Sequence, residues 1–200
     1  MRPLALVVAT LLLLPSRARA NAPEELRTQA MERVRAGLRD ADRGVRFAAV
    51  EALGKAKEPT PDALVTMLAD PEWCVRREAA WWLRRGGEAA FAQLSKVLAT
   101  GGLPAREAAT WALSSFDAAA VPLLRTALAD PDEEVRLEAI AAAGRLGRDL
   151  AAPLVALIRP LANGTRTDEE RDEAIAALAI LDPKPVEAPP KKAETEPHRA

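Results

Sequence analysis

A set of residues returns every 30 positions along most of this chain, and this period constrains the fold more than any other feature of the sequence. Each copy carries an acidic position, an arginine six residues later and an alanine three residues after that. The acidic position is aspartate in three copies, at Asp40, Asp70 and Asp130, and Thr100 stands there in the third copy. The arginines are Arg46, Arg76, Arg106 and Arg136, and the alanines are Ala49, Ala79, Ala109 and Ala139. A fifth copy begins at Leu154 and resumes at Arg171 after an insertion. Copies of one short unit in tandem indicate a repeat protein in which each unit packs mainly on its neighbours.

Each unit is predicted to form two short helices. In the second unit, Pro61 suits a helix start, because the N–H that proline lacks is unpaired there in any case. Leu64 and Leu68 lie one turn apart on the same face. The pair Asp70-Pro71 is predicted to end this helix and to cap the next one. Neither helix can bury its apolar face alone, so the predicted fold class is all-α, an α-solenoid of about five two-helix repeats.

The pattern L-x-D-x-x-x-x-V-R-x-x-A-x-x-x-L resembles HEAT repeats of the short bacterial type, which also occur in phycobilisome lyase-like proteins. The resemblance covers residues 24–182, and the third copy departs from it at Gly101-Gly102 and Ala105. It implies a structural role for the aspartate and arginine columns, which we call the ladder. The stem of each arginine would lie between repeats while its planar head bonds an aspartate turn. The residues alone also allow a second interpretation, in which the ladder binds anions.

The two ends of the chain differ from the repeat region. Leu4 to Leu14 form an apolar run after Arg2, and Ala18-Arg19-Ala20 follows it, which predicts a signal peptide over residues 1–20. A membrane span needs about 20 apolar residues, so the run is short for one, and an uncleaved anchor is the alternative interpretation. We therefore expect an exported protein, periplasmic or extracellular, with no stable membrane span after cleavage. Residues 21–182 form the predicted repeat domain, and the Pro-, Lys- and Glu-rich tail 183–200 is predicted to be disordered.

Several kinds of chemistry are missing from the repeat region. There are 28 Lys and Arg residues against 29 Asp and Glu, which lacks the basic excess of a nucleic-acid-binding protein. The single histidine, His198, lies in the tail, so His-based metal sites and Ser-His-Asp triads are excluded from the repeats. The glycine pairs lack the spacing and the lysine of a phosphate-binding loop. The sequence predicts a protein that is not an enzyme, with no catalytic residue, metal or cofactor.

One face of the second helices is less polar than a solvated face should be. With Ala79 in the core direction and about 100° per residue, positions 77, 81 and 84 point the opposite way. Trp81 and Trp111 share a column in neighbouring repeats, and tryptophan with arginine is typical of binding hot spots. We predict a groove on these helices, which the resemblance places on the concave side. Its candidate residues are Phe47, Arg77, Trp81, Arg84, Glu107, Trp111 and Leu137. Trp73 and Trp82 are assigned instead to the core or to the edge of a repeat.

The leading functional hypothesis is a scaffold or adaptor that docks a protein or peptide in this groove. A bilin lyase-like or other chromophore-handling protein is the first alternative, and it is supported only by the shared repeat type. The second is a structural protein of the bacterial envelope that self-associates through Cys74 or its open end repeats, so a homo-oligomer is also considered. Cys74 is the only cysteine in the chain; we expect it to be buried, with an intermolecular disulfide as the alternative.

Overall fold

A computed structural model of the protein describes residues 24–56, 61–163 and 167–183. Every regular element within these ranges is a helix. None of the helices described is long and apolar enough to cross a membrane. The predicted signal peptide and, apart from Pro183, the predicted tail lie outside the described residues, so both remain predictions.

The helices form five successive pairs. The first three pairs are α1 (Glu24–Gly37) with α2 (Arg43–Ala56), α3 (Pro61–Thr66) with α4 (Trp73–Leu83), and α5 (Gly87–Thr100) with α6 (Leu103–Leu113). The last two are α7 (Val121–Leu128) with α8 (Glu133–Leu146), and α9 (Arg148–Ala151) and α10 (Val155–Ala162) with α11 (Asp168–Leu181). Short 3₁₀ segments flank α3, α7 and α10 at Met67–Ala69, Asp117–Ala120 and Ala152–Leu154. The predicted all-α solenoid of two-helix repeats is confirmed.

The core runs along the stack between the two layers of helices. Second helices pack on second helices, in the order α2, α4, α6, α8 and α11, and each also packs on the first helix of its own pair. All four alanines of the repeated column are buried, at Ala49, Ala79, Ala109 and Ala139. A side chain this small lets neighbouring backbones approach closely, so a continuous apolar core forms although each helix is short.

The aspartate turn differs in detail from the sequence prediction. Asp70 ends the 3₁₀ segment, and its carboxylate accepts a hydrogen bond from the backbone N–H of Glu72 at 2.9 Å. Helix α4 begins only at Trp73, and the residue before it makes no side-chain cap. The prediction that Asp70-Pro71 caps the next helix is therefore wrong. The aspartate closes the turn instead, and Pro71 lies in that turn, because the carboxylate is already committed to the residue two positions ahead.

The ladder ties the first repeat to the second and the third repeat to the fourth. Arg46 donates from Nη1 to the backbone carbonyl of Asp40 in its own turn, and from Nε and Nη2 to both carboxylate oxygens of Asp70, at 2.7 and 3.0 Å. Arg106 binds Asp130 in the same two-point manner, at 2.9 and 3.0 Å. Burial alone would raise the pKa of Asp70, but the hydrogen bonds from Arg46 and Glu72 and the charges of Arg46 and Arg76 outweigh it and lower that pKa.

The ladder changes where the repeat pattern changes. Thr100 belongs to helix α5, so Arg76 has no aspartate partner in the next repeat; it keeps the carbonyl of Asp70 and lies 4.0 Å from Glu107. At the last joint, Arg136 donates from Nε to Oε1 of Glu170 at 2.8 Å. Glu170 stands in the column that valine fills in the first, second and fourth repeats, and it is completely buried. The carboxylate of Glu170 thus takes the place of the aspartate that binds the ladder arginine at the first and third joints.

Candidate functional site

An open cavity of about 500 Å³ lies across the second helices of the first three repeats. Helices α2 and α6 contribute to its walls, and α4 contributes the largest share. We call this cavity the tryptophan groove. Its lining residues are Phe47, Glu51, Lys55, Trp73, Cys74, Arg77, Glu78, Trp81, Trp82 and Trp111. The sequence contains four tryptophans and no tyrosine, so every tryptophan of the chain lines this one cavity.

The inner wall of the groove depends on a glycine. The indole of Trp82 packs against the core and lies directly over Gly54 of α2, where a methyl group would overlap the Cδ2, Cε2 and Cγ atoms of the ring. The indole N–H donates to Oε1 of Glu78 at 2.8 Å. Trp81 meets the Trp82 ring edge-to-face, with a centroid separation of 4.6 Å, which is a favourable arrangement for aromatic pairs. These contacts fix both rings.

Three further lining residues, Trp73, Trp82 and Cys74, were not among the groove candidates named from the sequence. Trp73 is 57% exposed, so its assignment to the core is wrong, and it lines the groove. It is the first residue of α4, where its ring extends over the next turn and lies 5.3 Å from the guanidinium carbon of Arg77. Trp82 does pack against the core as predicted, but its ring also forms part of the groove. Cys74 is only partly buried and lines the groove.

The candidate residues named from the sequence fall into two groups. Phe47, Arg77, Trp81 and Trp111 come together in the groove. The other three lie outside its lining. Arg84 stacks on Trp111 and donates from Nε to the Ser115 hydroxyl at 2.6 Å, Glu107 pairs with Arg76, and Leu137 is a partly buried residue of α8.

Arginine side chains cover the ring faces of Trp111 and Trp81. The guanidinium carbons of Arg77 and Arg84 lie 4.2 and 4.6 Å from the centroid of the Trp111 ring. The guanidinium of Arg85 lies over Trp81 at 4.7 Å. A cation over an indole face is attracted by the ring quadrupole, and the attraction grows as water is excluded. The groove therefore has apolar ring edges beside charged groups held at fixed positions.

Positive charge accumulates at the Trp111 end of the groove. We call Arg77, Arg84, Arg85 and Arg145 the arginine cluster. Burial, followed by the positive charges of Arg145, Arg77 and Arg85, lowers the pKa of Arg84. Two members of the cluster share one carboxylate: Glu138 pairs with Arg145 and lies 3.8 Å from Arg77.

Glu138 is itself held in an unfavourable environment for a carboxylate. Burial raises its pKa, and the charge of Glu107 adds to the rise, while Arg145 and Arg77 act in the opposite direction without cancelling it. Glu138 thus pairs with two of the four guanidiniums of the arginine cluster, so the net charge of the cluster and this carboxylate together is positive.

A closer use of the helical wheel could have found part of what the sequence analysis missed. Trp73, Arg77 and Trp81 are spaced four residues apart and so form one stripe along α4. Arg85 and Arg145 occupy one repeat column, two repeats apart. No sequence signal marks the contact between Trp82 and Gly54, because it joins two helices and depends on how their axes approach.

The groove offers large aromatic and charged contact surfaces for binding. Within residues 24–56, 61–163 and 167–183, no group of His, Cys, Asp and Glu side chains could hold a metal ion. The strongest features are the large aromatic area and the fixed guanidiniums. Both suit the recognition of a polypeptide.

Known proteins share the repeats and the fold. The family model for HEAT repeats matches residues 16–84, and the model for the PBS lyase HEAT-like repeat matches residues 105–130. The complex of CpcE and CpcF of phycocyanin lyase from Nostoc sp. PCC7120 has 26% sequence identity and a TM-score of 0.53, over 87% of this chain and 70% of that one. A designed armadillo repeat protein in complex with the peptide (KR)4 has 21% identity and a TM-score of 0.51, over 88% and 98%. Among curated protein sequences, none matches this chain.

Proposed function

Because this chain is a HEAT-repeat protein with repeats of the PBS lyase HEAT-like type, we propose that it is a non-enzymatic scaffold that docks a protein or peptide in the tryptophan groove. The observation that carries the proposal is the gathering of all four tryptophans of the chain in one open cavity. Contiguous exposed aromatic surface is uncommon on a soluble protein and is typical of interaction sites.

The similar structures support a role in holding polypeptides. One is in complex with a peptide, and the other is a complex of two proteins. Repeat solenoids present extended surfaces of this kind because each unit adds one more helix face. Trp81, which is 37% exposed, and Trp73 supply area that a partner would remove from water.

The test uses the intrinsic fluorescence of the protein, which comes entirely from the groove tryptophans. Immobilised peptides that lack tryptophan are screened for binding, and hits are titrated in solution. The double variant Trp81→Ala/Trp111→Ala should lose binding by at least about tenfold, or about 1.4 kcal/mol.

The matched control removes exposed apolar side chains elsewhere. The double variant Leu157→Ala/Ile180→Ala alters residues of α10 and α11 that are 38% and 54% exposed, and it should bind normally. Thermal melts of both variants show that each is folded. A folded tryptophan variant that keeps its full affinity for every hit would refute the groove as the docking site.

The similarity to the phycocyanin lyase complex favours one alternative function, the handling of a bilin or related chromophore. The groove would then hold a conjugated ring system instead of a peptide. Purified protein mixed with a bilin should show a shifted visible absorption band in that case. An unchanged spectrum together with tight peptide binding would leave the scaffold function.

We also propose that the protein is exported. The support is the apolar run from Leu4 to Leu14 with Ala18-Arg19-Ala20 after it. Cell fractionation of a bacterial host, with N-terminal sequencing of the mature chain, tests this. A chain that keeps its first residues and stays in the cytoplasm would contradict it.

A further inference from the structure

The tryptophan groove is chemically different at its two ends. At the α2 end, Glu51 pairs with Lys55, and Glu78 accepts from the Trp82 indole, so the polar groups there are already occupied by partners. At the Trp111 end, the arginine cluster meets the groove through Arg77, which lines it, and through Arg84, whose guanidinium lies over the Trp111 ring. A ligand lying along the groove would therefore meet excess positive charge at one end only.

The arginine cluster lacks carboxylates to balance it. Glu138 serves both Arg77 and Arg145. Across the described part of the chain, no carboxylate lies within ion-pair distance of Arg84 or Arg85. The side-chain partner that Arg84 does have is the hydroxyl of Ser115, which carries no charge. Glu107, whose charge acts on Glu138, lies 4.0 Å from Arg76.

The excess of positive charge is confined to the arginine cluster, since the chain as a whole has a formal net charge of −1. Guanidiniums that repel one another at fixed positions form a preorganised site for an anion, because their mutual repulsion is relieved when negative charge arrives. Arginine is also suited to carboxylates, since its planar fork binds both oxygens.

We infer that the ligand of the tryptophan groove is an acidic polypeptide segment, with an apolar side chain seated among the tryptophans and carboxylates facing Arg84, Arg85 and Arg145. This inference rests on the proposed docking function and specifies the chemistry of the partner. The acidic residues lie on one side of the apolar anchor, because Glu78 at the opposite end of the groove would repel them.

The test uses three synthetic peptides that share a Leu-Ile anchor, lack tryptophan and differ in the residues that follow: glutamates, glutamines or lysines. Binding is followed by the fluorescence of the groove tryptophans and by the protection of Cys74, the single thiol, from a thiol reagent. The glutamate peptide should bind at least about tenfold more tightly than the glutamine peptide, and this preference should shrink at high salt.

Variants of the cluster locate the charge effect. Arg84→Gln/Arg145→Gln should bring the glutamate peptide to the affinity of the glutamine peptide. Arg145→Gln alone, which alters no guanidinium stacked on a groove tryptophan, should reduce the preference for the glutamate peptide and leave the affinity of the glutamine peptide unchanged, which also shows that the groove is intact. Arg125→Gln, an exposed arginine of α7, is the matched control and should change neither affinity. Glu138→Gln removes the competing carboxylate and should tighten the glutamate peptide further.

Three outcomes would overturn the inference in distinguishable ways. If the three peptides bind equally and Trp81→Ala/Trp111→Ala abolishes all binding, the groove is a docking site without acidic preference. If none of the peptides binds or protects Cys74, while the peptide screen of the scaffold proposal also fails, the docking function fails as well. If a single-stranded DNA oligonucleotide of equal charge binds as tightly as the glutamate peptide, the cluster is a general polyanion site.

Discussion

Replacing Gly54 with alanine tests the packing that builds the groove. In an ordinary helix interior this change stabilises by about 1 kcal/mol, because alanine has the higher helix propensity. Here the new methyl group overlaps the Trp82 ring, so the indole must move away from the core and from its hydrogen bond to Glu78. Overpacking of this kind costs about 1–3 kcal/mol, and a lost hydrogen bond about 0.5–1.5 kcal/mol.

The expected net effect of Gly54→Ala is a destabilisation of about 0.5–3.5 kcal/mol, with a central value of about 2 kcal/mol. For a domain of this size, about 1 kcal/mol corresponds to about 2–4 °C in Tm. For the central value we therefore expect Tm, measured by circular dichroism, to fall by about 4–8 °C. The emission maximum of the native protein should also shift, because the fluorescence comes from the groove.

The chain offers a matched control in the same repeat column. A methyl group at Gly144 would meet its nearest atoms, in Ala177 and Ile180, at 3.9 Å, which is ordinary contact. Gly144→Ala should therefore raise Tm by about 2–4 °C through helix propensity alone and leave the fluorescence unchanged. If Gly54→Ala instead raised Tm as much as the control and left the emission unchanged, the indole would not be fixed over Gly54.

Three other predictions follow from the ladder and the groove. Arg136→Met removes the guanidinium that donates to the buried Glu170 carboxylate and should lower the free energy of unfolding by about 3–5 kcal/mol in urea titrations. Arg76→Met breaks no carboxylate pair at hydrogen-bond distance and should cost about 1 kcal/mol. Equal losses in the two variants would contradict the ladder's structural role. The folded-state pKa of Asp70 is lowered, so its contribution to stability is present above its unfolded pKa of about 3.9 and is lost as the pH falls through the folded value. The difference in stability between wild type and Asp70→Asn should therefore be largest near neutral pH and shrink in acid; a constant difference would argue against the pair. Cys74 should react with a thiol reagent in the native protein, since it is partly buried and lines an open cavity, and a thiol that reacts only after unfolding would show that the groove is closed.

The repeat period by itself determines the architecture of this protein. A unit that recurs every 30 residues and carries two amphipathic helices can bury its apolar faces only against copies of itself. The buried alanine column follows from the same periodicity, because residues at fixed spacing on a helix share a face. The stripe with Trp81 and Trp111 was also visible in the sequence for this reason.

Contacts between repeats were decided by the tertiary structure alone. Glu170 replaces the missing aspartate from a column where valine was expected, and Trp82 lies over Gly54 of the preceding repeat. Helical periodicity gives the direction of a side chain around its own axis, but it does not give the distance to the neighbouring helix. That distance, set by packing along the whole stack, turned a row of tryptophans into a groove and brought Arg145 beside Arg84.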